Sequence, residues 1–90
     1  MTHARAMEIV NVKGLHARAS ARLVELVESY DADAEVSKDG MSATGDSIMG
    51  LLMLAASLGT TIEVETSGPQ AAELLDAIDE LVANKFGEDM

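Results

Sequence analysis

The stretch AEVSKDGMSAT, residues 34–44, constrains the fold of this chain more than any other. Asp39-Gly40 divides it into two short runs. A two-residue hairpin turn needs positive φ at both central residues, and Asp-Gly is among the pairs that tolerate this best. Ala34 and Val36 share one face of the first run, and Met41–Thr44 returns as the second strand. Thr60–Thr66 (TTIEVET) alternates more strictly, with Ile62 and Val64 on one side and Glu63 and Glu65 on the other. A bundle of helices accommodates neither pattern, so the chain must build a sheet.

The remaining segments complete that sheet. Met7–Val12 (MEIVNV) is a β-branched run and predicts a first strand with Met7 and Ile9 facing inward. Ala17–Tyr30 turns helical, with Ala19, Leu23, Leu26 or Val27, and Tyr30 recurring at three- and four-residue spacing. Gly45-Asp46-Ser47 offers cap residues for a helix over Ile48–Ser57 that stops at Gly59. Within it Leu51, Leu54 and Leu58 can serve the core, leaving some of Ile48, Met49, Leu52 and Met53 to face outward. Ser67-Gly68-Pro69 opens the last helix, with Pro69 at the first helical position. Ala71, Leu74, Leu75, Ile78, Leu81 and Val82 form its apolar face. The order βαββαβα is an α+β arrangement, an open-faced sandwich in which three helices cover one face of a four-stranded antiparallel sheet. Residues 1–90 form one domain, with 1–6 and 86–90 expected to be loose termini.

Charge and composition narrow the partners. The formal net charge is −10, and the second half of the chain carries most of it. Such a surface repels a phosphate backbone, and with only Tyr30 and Phe86 as aromatics there is no platform for stacking bases, so nucleic acid is excluded as a partner. Arg5, Lys13, Arg18 and Arg22 cluster in the first quarter, around His16, where an anion would be welcome. The absence of cysteine excludes disulfides and thiolate metal sites. The N-terminus does not read as a signal peptide, and the longest near-apolar stretch, Ile48–Leu58, is too short to span a membrane. The expectation is a soluble, cytoplasmic protein.

His16 lies in GLHARAS, residues 14–20, at the cap position of the first helix. Helix N-termini present free N–H groups and a partial positive charge, so they attract anions and disfavour an imidazolium. Arg18 adds a guanidinium suited to phosphate. The pair reads either as a site for a phosphoryl group held on a ring nitrogen or as a polar cap beside a surface arginine.

Gly14-Leu15-His16-Ala17-Arg18 resembles the active-site motif of the histidine-containing phosphocarrier family, HPr, of the phosphoenolpyruvate-dependent phosphotransferase system. The strand before it, the Asp39-Gly40 hairpin, the Ser47-Ile48-Met49 helix start and TIEVET also fall where that family has them. The resemblance implies that His16 accepts phosphate on Nδ1 from phosphorylated Enzyme I and hands it to an Enzyme IIA-type acceptor. Arg18 and the backbone N–H groups of Ala17 and Arg18 would hold the phosphate oxygens. Such a chain is a carrier, not an enzyme, and uses no cofactor and no metal. It also implies regulatory phosphorylation of Ser47 by a serine kinase, reversed by a phosphorylase, and docking of partners on Ala17, Ser20, Ile48, Met49 and Leu52. The chain would act as a monomer, in sugar uptake or in the nitrogen-related regulatory branch. One departure is Ala19, where the family commonly has proline; its extra N–H is expected to alter the orientation or lifetime of the phosphate while leaving transfer intact.

Other readings explain less. Asp46-Ser47-Ile48 resembles the attachment motif of acyl carrier proteins, but those are helical bundles. A hydrolase using His16 and Ser20 lacks an orienting acid, since Glu25 and Glu28 lie more than a turn further along the helix. His3 and His16 are too few for a metal site. A binding module that is never phosphorylated remains as an alternative.

Overall fold

The computed structural model describes residues 2–90. Its elements are β1 (Thr2–Glu8), α1 (Ala17–Glu28), β2 (Asp33–Lys38), β3 (Met41–Thr44), α2 (Ile48–Met53), β4 (Thr61–Ser67) and α3 (Ala71–Ala83), closed by a short turn over Lys85–Gly87. The sheet is antiparallel with strand order β1-β4-β2-β3. Its inner face supplies Met7, Ala34, Val36, Ala43, Ile62 and Val64. These pack with Leu23 and Val27 of α1, Leu51 of α2, and Leu74, Leu75 and Ile78 of α3 in one aliphatic core. The other face is open and carries Glu35, Glu63 and Glu65.

The hairpin forms as its chemistry requires, with φ of 52° at Asp39 and 83° at Gly40. Other boundaries move for tertiary reasons. β1 begins at Thr2, well before the expected Met7, because seven residues of β4 pair with it from Thr2↔Ser67 to Glu8↔Thr61. Residues 2–6 are therefore a strand and not a loose terminus (Met1 lies outside the described residues), and His3 is paired with Thr66. Arg5 ties this strand to α3, donating to Asp79 at 2.8 Å and Asp76 at 2.9 Å.

α2 is shorter than its apolar pattern suggests. It stops at Met53, and Ala55 takes a left-handed φ of 52°. The turn presents the Ala56 carbonyl to the N–H of Leu15 at 2.8 Å. Leu58, which the apolar pattern allows in the core, is consequently 53% exposed. α3 starts at Ala71 instead of Pro69, because Gln70 is held outside the helix by its N–H to Asp31 O and by its side-chain oxygen accepting from the Asp31 N–H at 2.7 Å.

The C-terminal segment departs furthest from expectation. Phe86 is fully buried in the core, and Lys85, Phe86 and Gly87 all have left-handed φ, at 58°, 54° and 79°. Left-handed backbone costs an L-residue about 1–2 kcal/mol. Burial of the single phenylalanine offsets this, and Arg22 of α1 donates to the Phe86 carbonyl. Residues 86–88 are thus anchored, which corrects the expectation of a loose tail.

Candidate functional site

Gly14 makes the entry to α1 possible. Its φ is +64°, and a Cβ there would overlap the Ala56 carbonyl oxygen and lie 2.9 Å from Ser57 Cα. Leu15 then enters the core and His16 becomes the N-cap of α1, with extended backbone. Its Nδ1 accepts from the backbone N–H of Arg18 at 3.3 Å. That nitrogen therefore carries a lone pair, directed at the end of a helix where the N–H groups of the first turn have no partner within the helix.

The other ring nitrogen, Nε2, meets the carboxylate of Glu88. With Nδ1 accepting, Nε2 is the protonated atom and donates. Glu88 in turn accepts from the side-chain amide of Asn11 at 2.9 Å, and the same amide nitrogen reaches the Gly14 carbonyl at 2.8 Å. Both partners are acceptors, which sets the orientation of the amide. Asn11 is fully buried, and its side-chain oxygen has no hydrogen-bond partner among the described residues. An unsatisfied buried acceptor costs about 1–3 kcal/mol. The amide of Asn11 most of all, and then His16 and Lys13, hold the Glu88 carboxyl below the usual glutamate range, against the opposing effect of desolvation. The side chains of His16 and Glu88 are 25% and 13% exposed.

Arg18 lies exposed on the first turn of α1, and among the described residues no carboxylate pairs with it. Lys13, Arg18 and Arg22 line a cleft of about 330 Å³ together with Glu88 and Asp89. The site is thus a half-buried imidazole whose Nδ1 holds a single long contact, braced from behind through Nε2 and flanked by cations. Such a nitrogen can attack an electrophilic phosphorus, and the cations and helix N–H groups can hold its oxygens.

Of the other residues singled out from sequence, Ala17 is exposed at the same helix end. On the neighbouring α2, Ile48 and Met49 are 40% and 70% exposed, and Leu52 is half-buried. Ser47 is the N-cap of α2, its Oγ accepting from the Gly50 N–H at 3.1 Å. Ser20 does not belong to a docking face: it is fully buried, and its hydroxyl donates to the Leu15 carbonyl at 3.3 Å. The same burial removes it as a nucleophile for a hydrolase. An acid that orients His16 does exist, but it is Glu88, and sequence reasoning missed both it and Asn11. The available signal was Phe86, a lone aromatic in an otherwise polar tail, which argues for an anchored segment.

This combination, a capping histidine whose Nδ1 holds only one long contact on an open-faced α+β sandwich, defines a class of small carrier domain. The family model described as "PTS HPr component phosphorylation site" matches residues 3–84. The phosphocarrier protein HPr of Cupriavidus necator is 45% identical over 84 residues, covering 93% of this chain and 94% of that protein. Phosphocarrier protein NPr of Escherichia coli is 41% identical over 90 residues, covering 99% of this chain and all of that protein. A crystal structure of HPr from Thermoanaerobacter tengcongensis superposes with a TM-score of 0.92 at 32% identity, covering 98% of this chain and 99% of that one. The chain belongs to the HPr family of phosphotransferase-system phosphocarrier proteins.

Proposed function

We propose that this chain accepts a phosphoryl group on Nδ1 of His16 from phosphorylated Enzyme I and donates it to an Enzyme IIA-type acceptor. The observation that carries this reading is the division of labour on the ring: Nε2 is occupied by Glu88 while Nδ1 holds only the weak contact from Arg18 N–H. The Nδ1 lone pair forms the new bond to phosphorus, and the bond between phosphorus and the donor breaks, its electron pair leaving with the donor. No proton need move, because Nε2 keeps its own. Displacing the Arg18 N–H from Nδ1 frees it, with the Ala17 N–H and the Arg18 guanidinium, to bind phosphoryl oxygens.

The exposed apolar residues Ile48 and Met49, with Met53, suit docking of both donor and acceptor, since methionine surfaces adapt to more than one partner. Ser47 is the residue that a serine kinase would modify, adding about −1.5 to −2 charges at the start of α2. The carrier serves sugar uptake or a regulatory relay of the nitrogen-related kind.

The test is intact-mass measurement after incubation with Enzyme I and phosphoenolpyruvate. One phosphate is expected, lost on brief acid treatment and absent from His16→Ala. A cognate, active Enzyme I that leaves the parent chain unmodified would overturn the reading in favour of an unphosphorylated binding module.

A further inference from the structure

We propose that Glu88, held by Asn11, is the positioning residue of His16: its carboxylate keeps the proton on Nε2, so that Nδ1 is the nucleophile, and balances the positive charge of the ring once Nδ1 is bonded to phosphorus. This rests on the phosphocarrier reading of His16 and deepens it. Three features of the molecule converge on the contact. Among the described residues Asn11 is buried with its oxygen unpartnered, and its amide serves only the Gly14 carbonyl and Glu88. The chain adopts three consecutive left-handed residues, two of them not glycine, immediately before Glu88. Phe86 and Arg22 fasten that segment to the core and to α1. Unfavourable backbone and an unsatisfied buried group persist where function requires the geometry they produce. Here both deliver one carboxylate to one nitrogen.

The chemistry follows from charge. A neutral ring that keeps its Nε2 proton while Nδ1 bonds to phosphorus becomes cationic. A carboxylate on Nε2 stabilises that cation, and the phosphoryl group leaves a protonated ring more readily than a neutral one. The other charged groups lining the cleft beside the contact are Lys13 of the loop before Gly14, Arg18 and Arg22 of α1, and Asp89 of the tail. The three cations oppose a positive ring, which leaves Glu88 as the group in contact with His16 that favours it.

The experiment compares the parent chain with Glu88→Gln, whose side-chain oxygen can still accept from Asn11, and with Glu88→Ala. The tautomer of His16 is read from its ring nitrogen-15 shifts, and the rate of phosphoryl acceptance from phosphorylated Enzyme I is measured alongside thermal unfolding. In Glu88→Gln the ring proton is expected to redistribute from Nε2 toward Nδ1. Acceptance should slow several-fold while the unfolding temperature holds; Glu88→Ala should change the tautomer at least as far. A tautomer unchanged in both variants overturns the proposal, and so does a changed tautomer with an unchanged rate, which would make the contact structural only. A parent chain that takes up no phosphate defeats the carrier reading, and this proposal's claim on transfer with it. The nitrogen-15 shifts still report separately whether Glu88 fixes the ring proton.

Discussion

The backbone of Gly14 lies directly against that of Ala56, and the N–H of the next residue, Leu15, donates to the Ala56 carbonyl at 2.8 Å. This contact sets where α1 begins and so where His16 sits. Gly14→Ala introduces both a left-handed penalty and a clash with backbone that cannot swing aside. Gly59, also left-handed at φ +86°, has open space around its missing Cβ. Gly14→Ala is therefore expected to lose at least about 2 kcal/mol more than Gly59→Ala in chemical denaturation, the excess being overpacking. Equal losses would show that the close approach is not rigid.

Phe86 links stability to the site. Truncating a fully buried phenylalanine removes about 3–5 kcal/mol. Phe86→Ala should also release the tail, and amide hydrogen exchange at Glu88 should rise more than at the core positions Val36 and Val64. A uniform rise across the protein would mean that the tail does not open separately.

The Glu88 carboxyl should titrate below the usual glutamate value of 4.5, chiefly because Asn11 donates to it. A carboxylate with a lowered value in the folded state stabilises the fold above its unfolded value. That contribution declines as pH falls through the folded value. Carbon-13 NMR of the Glu88 carboxyl checks the first point, and Asn11→Ala should raise its midpoint. A midpoint unaffected by Asn11→Ala would contradict the stated cause.

Glu35 and Glu65 face each other across β2 and β4 on the open side of the sheet. Like charges directly opposite are unfavourable. Glu35→Lys should stabilise the domain by about 0.5 kcal/mol, with a smaller gain at high salt. No gain at low salt would mean that solvent already screens the pair.

Ser47 caps α2 through its Oγ. Ser47→Ala should cost about 1 kcal/mol, and Ser47→Asp should recover most of it, because a carboxylate can accept the same Gly50 N–H. A Ser47→Asp protein no more stable than Ser47→Ala would show that the shorter hydroxyl geometry matters.

Elements whose evidence is local were legible in the chain. The Asp39-Gly40 turn, the alternation of Ile62 and Val64, the helical stripe of Leu23 and Val27 and the capping roles of His16 and Ser47 all depend on neighbours within a few positions. Hairpin geometry, pleat, helix period and orphan N–H groups act over that range. His16 with Arg18 at a helix N-terminus was legible for the same reason.

By itself, then, the sequence determined an α+β domain with a sheet and a histidine at a helix cap. Tertiary structure decided the rest. β1 reaches back to Thr2 because β4 offers backbone partners to residues with no strand pattern of their own. α2 stops short because Leu15 needs the Ala56 carbonyl. Ser20 is buried although its neighbours Arg18 and Ala17 are not. Glu88 reaches His16 from 72 positions away, a pairing no local pattern encodes. It exists because one buried phenylalanine, three left-handed residues and a buried asparagine bring the end of the chain back to the start of its first helix.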